Sequence, residues 1–288
     1  MPELPEVEAL VNDLAKRLAG RAIVRVDLAN FSALKTYDPP LSALAGGLVD
    51  GVSRHGKFLD FDISGTHLVL HLARAGWVRW KDEVPKLPAK PNSKSPLAAR
   101  IVLDNDAGLD ITEAGTRKSL ALYVVREPAE VEGIARLGPD PLADDFTVDA
   151  LARILADAGR AQIKGTLRYQ STIAGIGNAY SDEILHAARM SPFKPSNSLT
   201  PEETEALHAT IQSVLTDAVQ RSDGLPASEL KGEKKSNMAV HGRTGETCPV
   251  CGDIVREVSF ADRSLQYCAT CQTGGKPLAD RRMSKLLK

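Results

Sequence analysis

Hydrophobic side chains recur every three or four positions at the start of the chain and then give way to shorter, alternating runs. The first pattern predicts an amphipathic helix over residues 5–18, with Pro5 in its first turn and Gly20 after its end. The later runs are separated by turn residues and predict an antiparallel β-sandwich. They are Ile23–Val26, Phe58–Phe61, His67–Leu72, Trp77–Trp80, Arg100–Leu103 and Leu120–Val125.

After Leu137 the periodicity becomes helical. The candidate helices are Val148–Ala158, Gln162–Ser171, Ala179–Arg189 and Pro201–Arg221. Thr200 and Glu203 have the spacing of a capping box at the start of the last helix. Residues 85–96, rich in proline and lysine, predict an exposed loop, and residues 224–235 predict a polar, flexible segment.

Composition narrows the class of protein. The 288 residues are 43% hydrophobic and 25% charged, enough for about two domains with cores. No run approaches the roughly 18 apolar residues of a membrane helix, and four cysteines are too few for a disulfide-stapled secreted protein. We expect a soluble cytoplasmic monomer with no membrane partner. The net charge of −1 argues weakly against nucleic acid, but the last 17 residues carry a net +4.

The cysteines give the strongest spacing signal. Cys248, Cys251, Cys268 and Cys271 form two Cys-x-x-Cys pairs separated by 16 residues. This spacing is typical of one structural zinc ion held by four thiolates at the tips of a β-hairpin. Two redox-active pairs are the alternative, but neither pair lies in a βαβ pattern.

Two further segments carry candidate chemistry. If Met1 is removed, Pro2 has a secondary amine that is partly neutral at pH 7 and can attack a carbonyl carbon, while Glu3 can transfer protons. The alternative is a purely structural role, because proline and acidic residues are favoured at the start of a helix. The Gly-x-Gly loop in residues 173–183 opens a helix and favours phosphate, although it lacks the third glycine of a dinucleotide site.

Together these motifs resemble the family of formamidopyrimidine-DNA glycosylase and endonuclease VIII. The matching pieces are the start Pro-Glu-Leu-Pro-Glu-Val-Glu, the pair Gly56-Lys57, the stretch Ala-Gly-Ile-Gly-Asn-x-Tyr-x-x-Glu and the four-cysteine ribbon with Arg263-Ser264. The resemblance covers residues 1 to about 272. Leu4 is similar to the formamidopyrimidine branch, since endonuclease VIII usually has glycine there.

The resemblance implies an α+β protein in four parts. These are an N-terminal catalytic β-sandwich domain flanked by helices (1–136), a helical domain with a helix-two-turn-helix (137–236), a zinc ribbon (237–272) and a basic tail (273–288). The implied enzyme repairs damaged DNA as a glycosylase with abasic-site lyase activity, and it associates with the nucleoid. Pro2 would attack C1′ of a flipped nucleotide and form a Schiff base.

The resemblance also implies roles for single residues. Glu3 corresponds to the general acid and base, Glu6 to a second active-site acid and Lys57 to a lysine that holds a phosphate. DNA contacts are implied at six positions, which are His71, Arg74, Lys164, Asn178, Tyr180 and Arg263. Glu183 is expected to support the glycine loop.

The sequence departs from the pattern of this family at three places, and these departures leave open which damaged base the enzyme removes. Arg74 replaces a methionine that fills the gap of the flipped base, and Lys118-Ser119 replaces the rest of that wedge, for which Trp77 or Tyr123 are candidate substitutes. The loop at 224–237, which would cover an oxidised purine, matches poorly, and the basic tail is expected to add nonspecific DNA affinity. The alternatives are an enzyme for oxidised pyrimidines, abasic sites or bulky adducts, and a non-catalytic damage-binding protein.

Overall fold

The computed structural model describes residues 1–85, 95–260 and 263–279. Contacts divide this part of the chain into two units, Met1–Arg136 with Ser222–Leu230, and Leu137–Arg221 with residues from Lys231 onward. The first unit contains α1 (Leu4–Leu18), α2 (Glu132–Ala135) and the strands β1 (Ile23–Leu28), β2 (Val49–His55), β3 (Phe58–Ile63), β4 (Thr66–His71), β5 (Gly76–Lys81), β6 (Leu97–Leu103), β7 (Gly108–Glu113) and β8 (Ala121–Val125).

The eight strands form two antiparallel four-stranded sheets around one core. The strand orders are β1-β6-β7-β5 and β2-β3-β4-β8. Alternation along each strand sends residues such as Ile101 and Phe61 into this shared core, where the apolar face of α1 also packs through Leu10 and Leu14. This architecture confirms the predicted β-sandwich, and α1 begins one residue before the predicted helix.

The second unit is mainly helical and ends in a two-stranded ribbon. Its elements are α3 (Val148–Asp157), α4 (Ile163–Arg168), α5 (Asn178–Ala187), α6 (Pro201–Ser222), α7 (Leu230–Asn237), β9 (Val255–Ser259), β10 (Ser264–Cys268) and α8 (Ala269–Thr273). The capping box of α6 is confirmed, because the Glu203 N–H donates to Thr200 Oγ1 at 3.2 Å and the Thr200 N–H donates to Glu203 Oε2 at 3.0 Å.

The prediction of a flexible segment at 224–235 was wrong, because α7 occupies its second half. The first residue of α7, Leu230, still belongs to the first unit and is buried in its core, whereas Glu233 lies in the second unit and pairs with Arg221 at 2.9 Å. The sequence hides this helix because it has few apolar positions. The predicted separation at residue 236 stays a prediction, although Ser222–Leu230 group with the first unit.

Two other predictions fall largely outside the described residues. These are the exposed loop at 85–96, of which residues 86–94 are not described, and the basic tail, which is described only to residue 279. Among the described residues, none of the helices combines the length and the hydropathy needed to cross a membrane.

Candidate active site and nucleic-acid interface

The start of the chain is a buried, acidic helix start. Pro2 is buried, and Glu3 and Glu6 are only 3% and 1% exposed. The Glu6 carboxylate accepts a hydrogen bond from the Glu3 backbone N–H at 2.8 Å. A carboxylate in the first turn is also stabilised by the helix dipole. Glu6 therefore fixes the backbone that carries Pro2 and Glu3.

Lys57 lies in the two-residue turn between β2 and β3. His55 pairs with Phe58 across the hairpin, and Gly56 has a φ of 55°, which a glycine adopts without strain. The turn therefore fixes the direction of the Lys57 side chain, which is buried.

Arg54 connects this turn to α1 and was missed by the sequence analysis. Its guanidinium donates to the Glu8 carboxylate at 2.7 Å and to the Gly56 carbonyl at 3.3 Å. The side chain thus bridges the first turns of α1 and the hairpin of Lys57. The alternation of side chains along a strand predicts on which face of β2 Arg54 lies. It does not predict the ion pair with Glu8, because that carboxylate lies 46 residues away in the sequence.

His71 ends β4 beside this hairpin. Its ring packs against Phe58 with centroids 4.7 Å apart. Burial, and then the positive charge of Lys57, lower the pKa of His71 from 6.5 to about 4. The imidazole is therefore neutral at pH 7, so it can serve DNA as a hydrogen-bonding group but not as a cation.

Replacing His71 with asparagine is expected to flatten the pH dependence of stability between pH 7 and pH 5. Because the folded pKa is below the unfolded one, the unfolded chain binds the proton first and stability falls as the pH falls. The shift corresponds to a loss of up to about 2 kcal/mol over this window. Urea unfolding of both proteins at the two pH values measures it. An equal loss in the variant would contradict the effect of burial.

Arg74 is exposed at the tip of a tight turn between β4 and β5. The Gly76 N–H donates to the Leu72 carbonyl at 2.8 Å, and a Cβ on Gly76 would lie 2.1 Å from that oxygen. Only glycine permits this approach. The turn therefore holds its backbone close together and projects Arg74 outward.

The segment that follows β7 is fixed by hydrogen bonds to the last residue of that strand, Glu113. Buried Glu113 accepts the backbone N–H of Ser119 at 2.7 Å and that of Leu120 at 3.1 Å. Both candidate substitutes for the wedge make other contacts in this structure. The Trp77 indole is buried and donates to the Ala227 carbonyl at 2.7 Å, while Tyr123 packs in an apolar cluster on the other face of the second sheet.

In the second unit, Lys164 is buried at the start of the α4–α5 element. It is 7% exposed, and its ammonium donates to Asp182 and Ser181 at 2.7 Å each and to the Asn178 carbonyl at 3.1 Å. These contacts direct the three donors of the ammonium to protein acceptors. The DNA contact implied for Lys164 stays a prediction, and this geometry favours an indirect role through the backbone of Asn178.

Asn178 and Tyr180 lie in the first turn of α5. The Asn178 amide donates to the Ser264 carbonyl at 2.8 Å and so connects α5 to the ribbon residue after Arg263. Tyr180 is 2% exposed, with the Lys234 ammonium 4.6 Å from the ring centroid. The DNA contact implied for Tyr180 also stays a prediction, and burial gives its ring a role in packing α7.

Glu183 supports a different loop from the one expected. Its carboxylate accepts the backbone N–H groups of Ala239, Val240 and His241 at 2.6, 3.0 and 2.8 Å. This segment leads into the ribbon and is remote in sequence from the glycine loop. Glu183 therefore anchors the ribbon to α5, and the expectation for the glycine loop was wrong.

The ribbon brings its four cysteines together. Their Sγ atoms lie within 4.8 Å of one another, with 3.9 Å between Cys248 and Cys271 and 3.3 Å between Cys251 and Cys268. A tetrahedral zinc ion with Zn–S bonds of about 2.3 Å places its sulfurs about 3.8 Å apart. The four side chains therefore fit one structural zinc ion. Arg263 is exposed on the hairpin, with its guanidinium 5.7 Å from the Phe260 ring centroid.

Comparison with known proteins accounts for both units. Residues 1–122 match the formamidopyrimidine-DNA glycosylase N-terminal domain, residues 137–228 match its H2TH domain, and residues 245–274 match the zinc finger found in FPG and IleRS. These three matches cover most of the chain.

Individual relatives agree with the family models. A formamidopyrimidine-DNA glycosylase-like protein of Mycobacterium tuberculosis is 60% identical over 152 residues, covering 53% of this chain and 94% of that protein. Formamidopyrimidine-DNA glycosylase of Symbiobacterium thermophilum is 36% identical, covering 98% and 93%. The Lactococcus lactis enzyme in complex with DNA containing an abasic site aligns with a TM-score of 0.82 and 26% identity over 94% of this chain and 99% of that one. The chain therefore belongs to the formamidopyrimidine-DNA glycosylase family, whose members are DNA glycosylases with abasic-site lyase activity in base-excision repair.

Proposed function

We propose that this chain carries out base removal and strand cleavage through the N-terminal amine of Pro2. The observation that carries the proposal is the buried segment in which Glu6 fixes the backbone of Pro2 and Glu3. After removal of Met1, the Pro2 nitrogen attacks C1′ of the damaged nucleotide, the bond to the base breaks, and an iminium forms. Glu3 supplies and removes the protons that this sequence requires. Elimination of the phosphates then cleaves the strand.

Borohydride reduction tests this proposal directly. Incubating the purified protein with an abasic-site duplex and borohydride is expected to give a covalent protein–DNA adduct that peptide mapping places on Pro2. Pro2→Gly, which replaces the secondary amine with a primary amine, is expected to lose most strand cleavage. An adduct on a lysine would assign the nucleophile elsewhere. Lesion binding with neither adduct nor cleavage would favour the non-catalytic, damage-binding alternative.

DNA binding is supported by the solved complexes of relatives with damaged DNA, and we assign its contacts as follows. Lys57 and His71 contact the DNA strand near the lesion. His71 does so as a neutral hydrogen-bond donor or acceptor. In the second unit, Asn178 and exposed Arg263 bind phosphates of the DNA backbone. Lys164 and Tyr180 support DNA binding indirectly, Lys164 by positioning Asn178 and Tyr180 by packing against α7. Phosphate contacts position DNA without reading its sequence, as expected for an enzyme that reads damage. We also propose that the protein is a monomer, which gel filtration tests. We propose that it acts in the cytoplasm, on the DNA of the nucleoid.

The lesion preference that we propose follows from Arg74 and Ser119. Extracting a base costs a few kcal/mol of stacking, and the cost is least where the base is missing or poorly paired. An exposed guanidinium fits a dry base stack poorly, and Ser119 adds little apolar surface. Abasic sites and distorting adducts are therefore favoured over oxidised bases in a regular duplex, whether purine or pyrimidine.

Single-turnover rates measure this preference. Cleavage of an abasic site is expected to exceed removal of 8-oxoguanine opposite cytosine by at least about tenfold, or about 1.4 kcal/mol in barrier. Arg74→Met is expected to narrow the ratio, whereas Arg79→Met, a control at another exposed arginine on β5, is expected to leave it unchanged. Equal wild-type rates on the two duplexes would show that another side chain supports the flipped state.

A further inference from the structure

One face of α5 is polar although it is largely buried. Asn178, Asp182 and His186 follow at intervals of four residues and therefore lie along one stripe of the helix. Each contacts the C-terminal part of the second unit. Asn178 donates to the Ser264 carbonyl, Asp182 lies 2.8 Å from His241 Nδ1, and His186 Nε2 lies 3.3 Å from the sulfur of Cys248. Buried polar groups are costly unless they are paired, so the stripe specifies the docking of the ribbon.

The third contact reaches the zinc ligands themselves. His186 is 4% exposed, and Cys248 is buried. A cysteine that binds zinc is a thiolate, which has no proton to donate. The hydrogen atom of this contact therefore belongs to the imidazole. We propose that His186 is a positioning residue of the zinc centre, which donates its Nε2–H to the thiolate sulfur of Cys248.

Electrostatics gives this hydrogen bond its function. Four thiolates around one Zn²⁺ have a net charge of −2 in a partly buried site. A donor to one sulfur stabilises that charge, lowers the tendency of the sulfur to take up a proton and leave the metal, and fixes the orientation of Cys248. Groups that hydrogen-bond to metal ligands typically contribute about 10–100-fold to metal affinity. Since α5 also carries Asn178, the same bond connects zinc retention to the helix assigned to DNA binding.

Matched variants separate hydrogen bonding from packing. His186→Phe keeps a ring and removes the donor, whereas His186→Gln places an amide N–H at a similar reach. His208→Phe is the control, because His208 lies on a different helix of this unit and makes a partly buried hydrogen bond to the Phe146 carbonyl at 2.6 Å. Zinc affinity is measured for each full-length protein by competition with a chromogenic chelator.

The expected result is that His186→Phe weakens zinc binding by about 10–100-fold, while His186→Gln and His208→Phe stay close to wild type. Wild-type affinity in His186→Phe, or a loss in His186→Gln as large as in His186→Phe, would overturn the proposal.

A measurement on the unmutated protein decides the matter if a variant does not fold. With ¹¹³Cd in place of zinc and ¹⁵N-labelled histidine, we expect the Nε2-protonated tautomer of His186 and a scalar coupling between its proton and ¹¹³Cd through the sulfur. A ring protonated only at Nδ1, or no coupling for the Nε2 proton, would contradict the hydrogen bond.

Discussion

Replacing Glu3 with glutamine is expected to lower base removal by about 10²–10⁴-fold, the usual loss when a positioned acid–base group is removed. Glutamine has nearly the same shape and can keep the buried position, but it cannot transfer a proton. The Glu3 backbone N–H still donates to Glu6, and the amide oxygen of glutamine can accept the Glu6 backbone N–H as the Glu3 carboxylate does in the capping box, so the helix start is expected to remain folded. Single-turnover cleavage of a duplex with one damaged base measures the effect, and a binding assay on the same duplex is expected to show retained affinity.

Asp13→Asn is the matched control for that experiment. It removes a carboxylate from the same helix, where Asp13 pairs with Arg17 at 2.8 Å near the surface. Ion pairs between residues four apart on a helix contribute about 0.3–0.5 kcal/mol to stability, so cleavage is expected to be unchanged. Wild-type base removal by Glu3→Gln would exclude Glu3 from the mechanism, and equal losses in both variants would assign the effect to the helix rather than to proton transfer.

The elements that the sequence predicted well depend on local patterns. The residues that form the apolar stripe of α1 and the capping box of α6 are only a few positions apart in the sequence. The cysteines form two such closely spaced pairs in one hairpin. Two strands, β2 and β7, were not predicted. In β7 the polar residue Asp110 is buried because Arg100 of the neighbouring strand donates to it at 2.6 Å. A long-range ion pair of this kind makes a buried strand look like a polar loop.

The candidate site shows the same division. Pro2, Glu3 and Glu6 are adjacent in sequence, and their shared burial at a helix start follows from local geometry. The burial of Lys164 and Tyr180 does not, because it depends on Asp182 for one and on α7 for the other. Resemblance to a family gave both residues direct DNA contacts, whereas tertiary packing in this chain favours indirect roles.

Replacing Cys268 with serine is expected to release the zinc ion and to weaken DNA binding without unfolding the rest of the protein. Structural zinc contributes about 10–16 kcal/mol to small zinc-finger peptides, so the ribbon is not expected to stay folded without it. Cys248 and Cys268 pack with Val240 and Val255 in a small cluster separate from the core of the first unit. Zinc content by mass spectrometry, far-UV circular dichroism and DNA affinity together measure the outcome. The expected combination is no zinc, a largely retained helical and β signal, and reduced affinity.

Arg263→Ala distinguishes the two ways in which the ribbon can contribute to that affinity. If exposed Arg263 contacts phosphates, its loss is expected to reproduce much of the affinity loss while zinc stays bound, and to reduce the slope of log affinity against log salt by about 0.9. Arg256→Ala is the control, because Arg256 is an exposed arginine on strand β9 of the same ribbon, and a smaller change in the slope is expected. Unchanged affinity and slope in Arg263→Ala, with a clear loss in Cys268→Ser, would mean that the ribbon acts on DNA only through Asn178 and the helix that it supports.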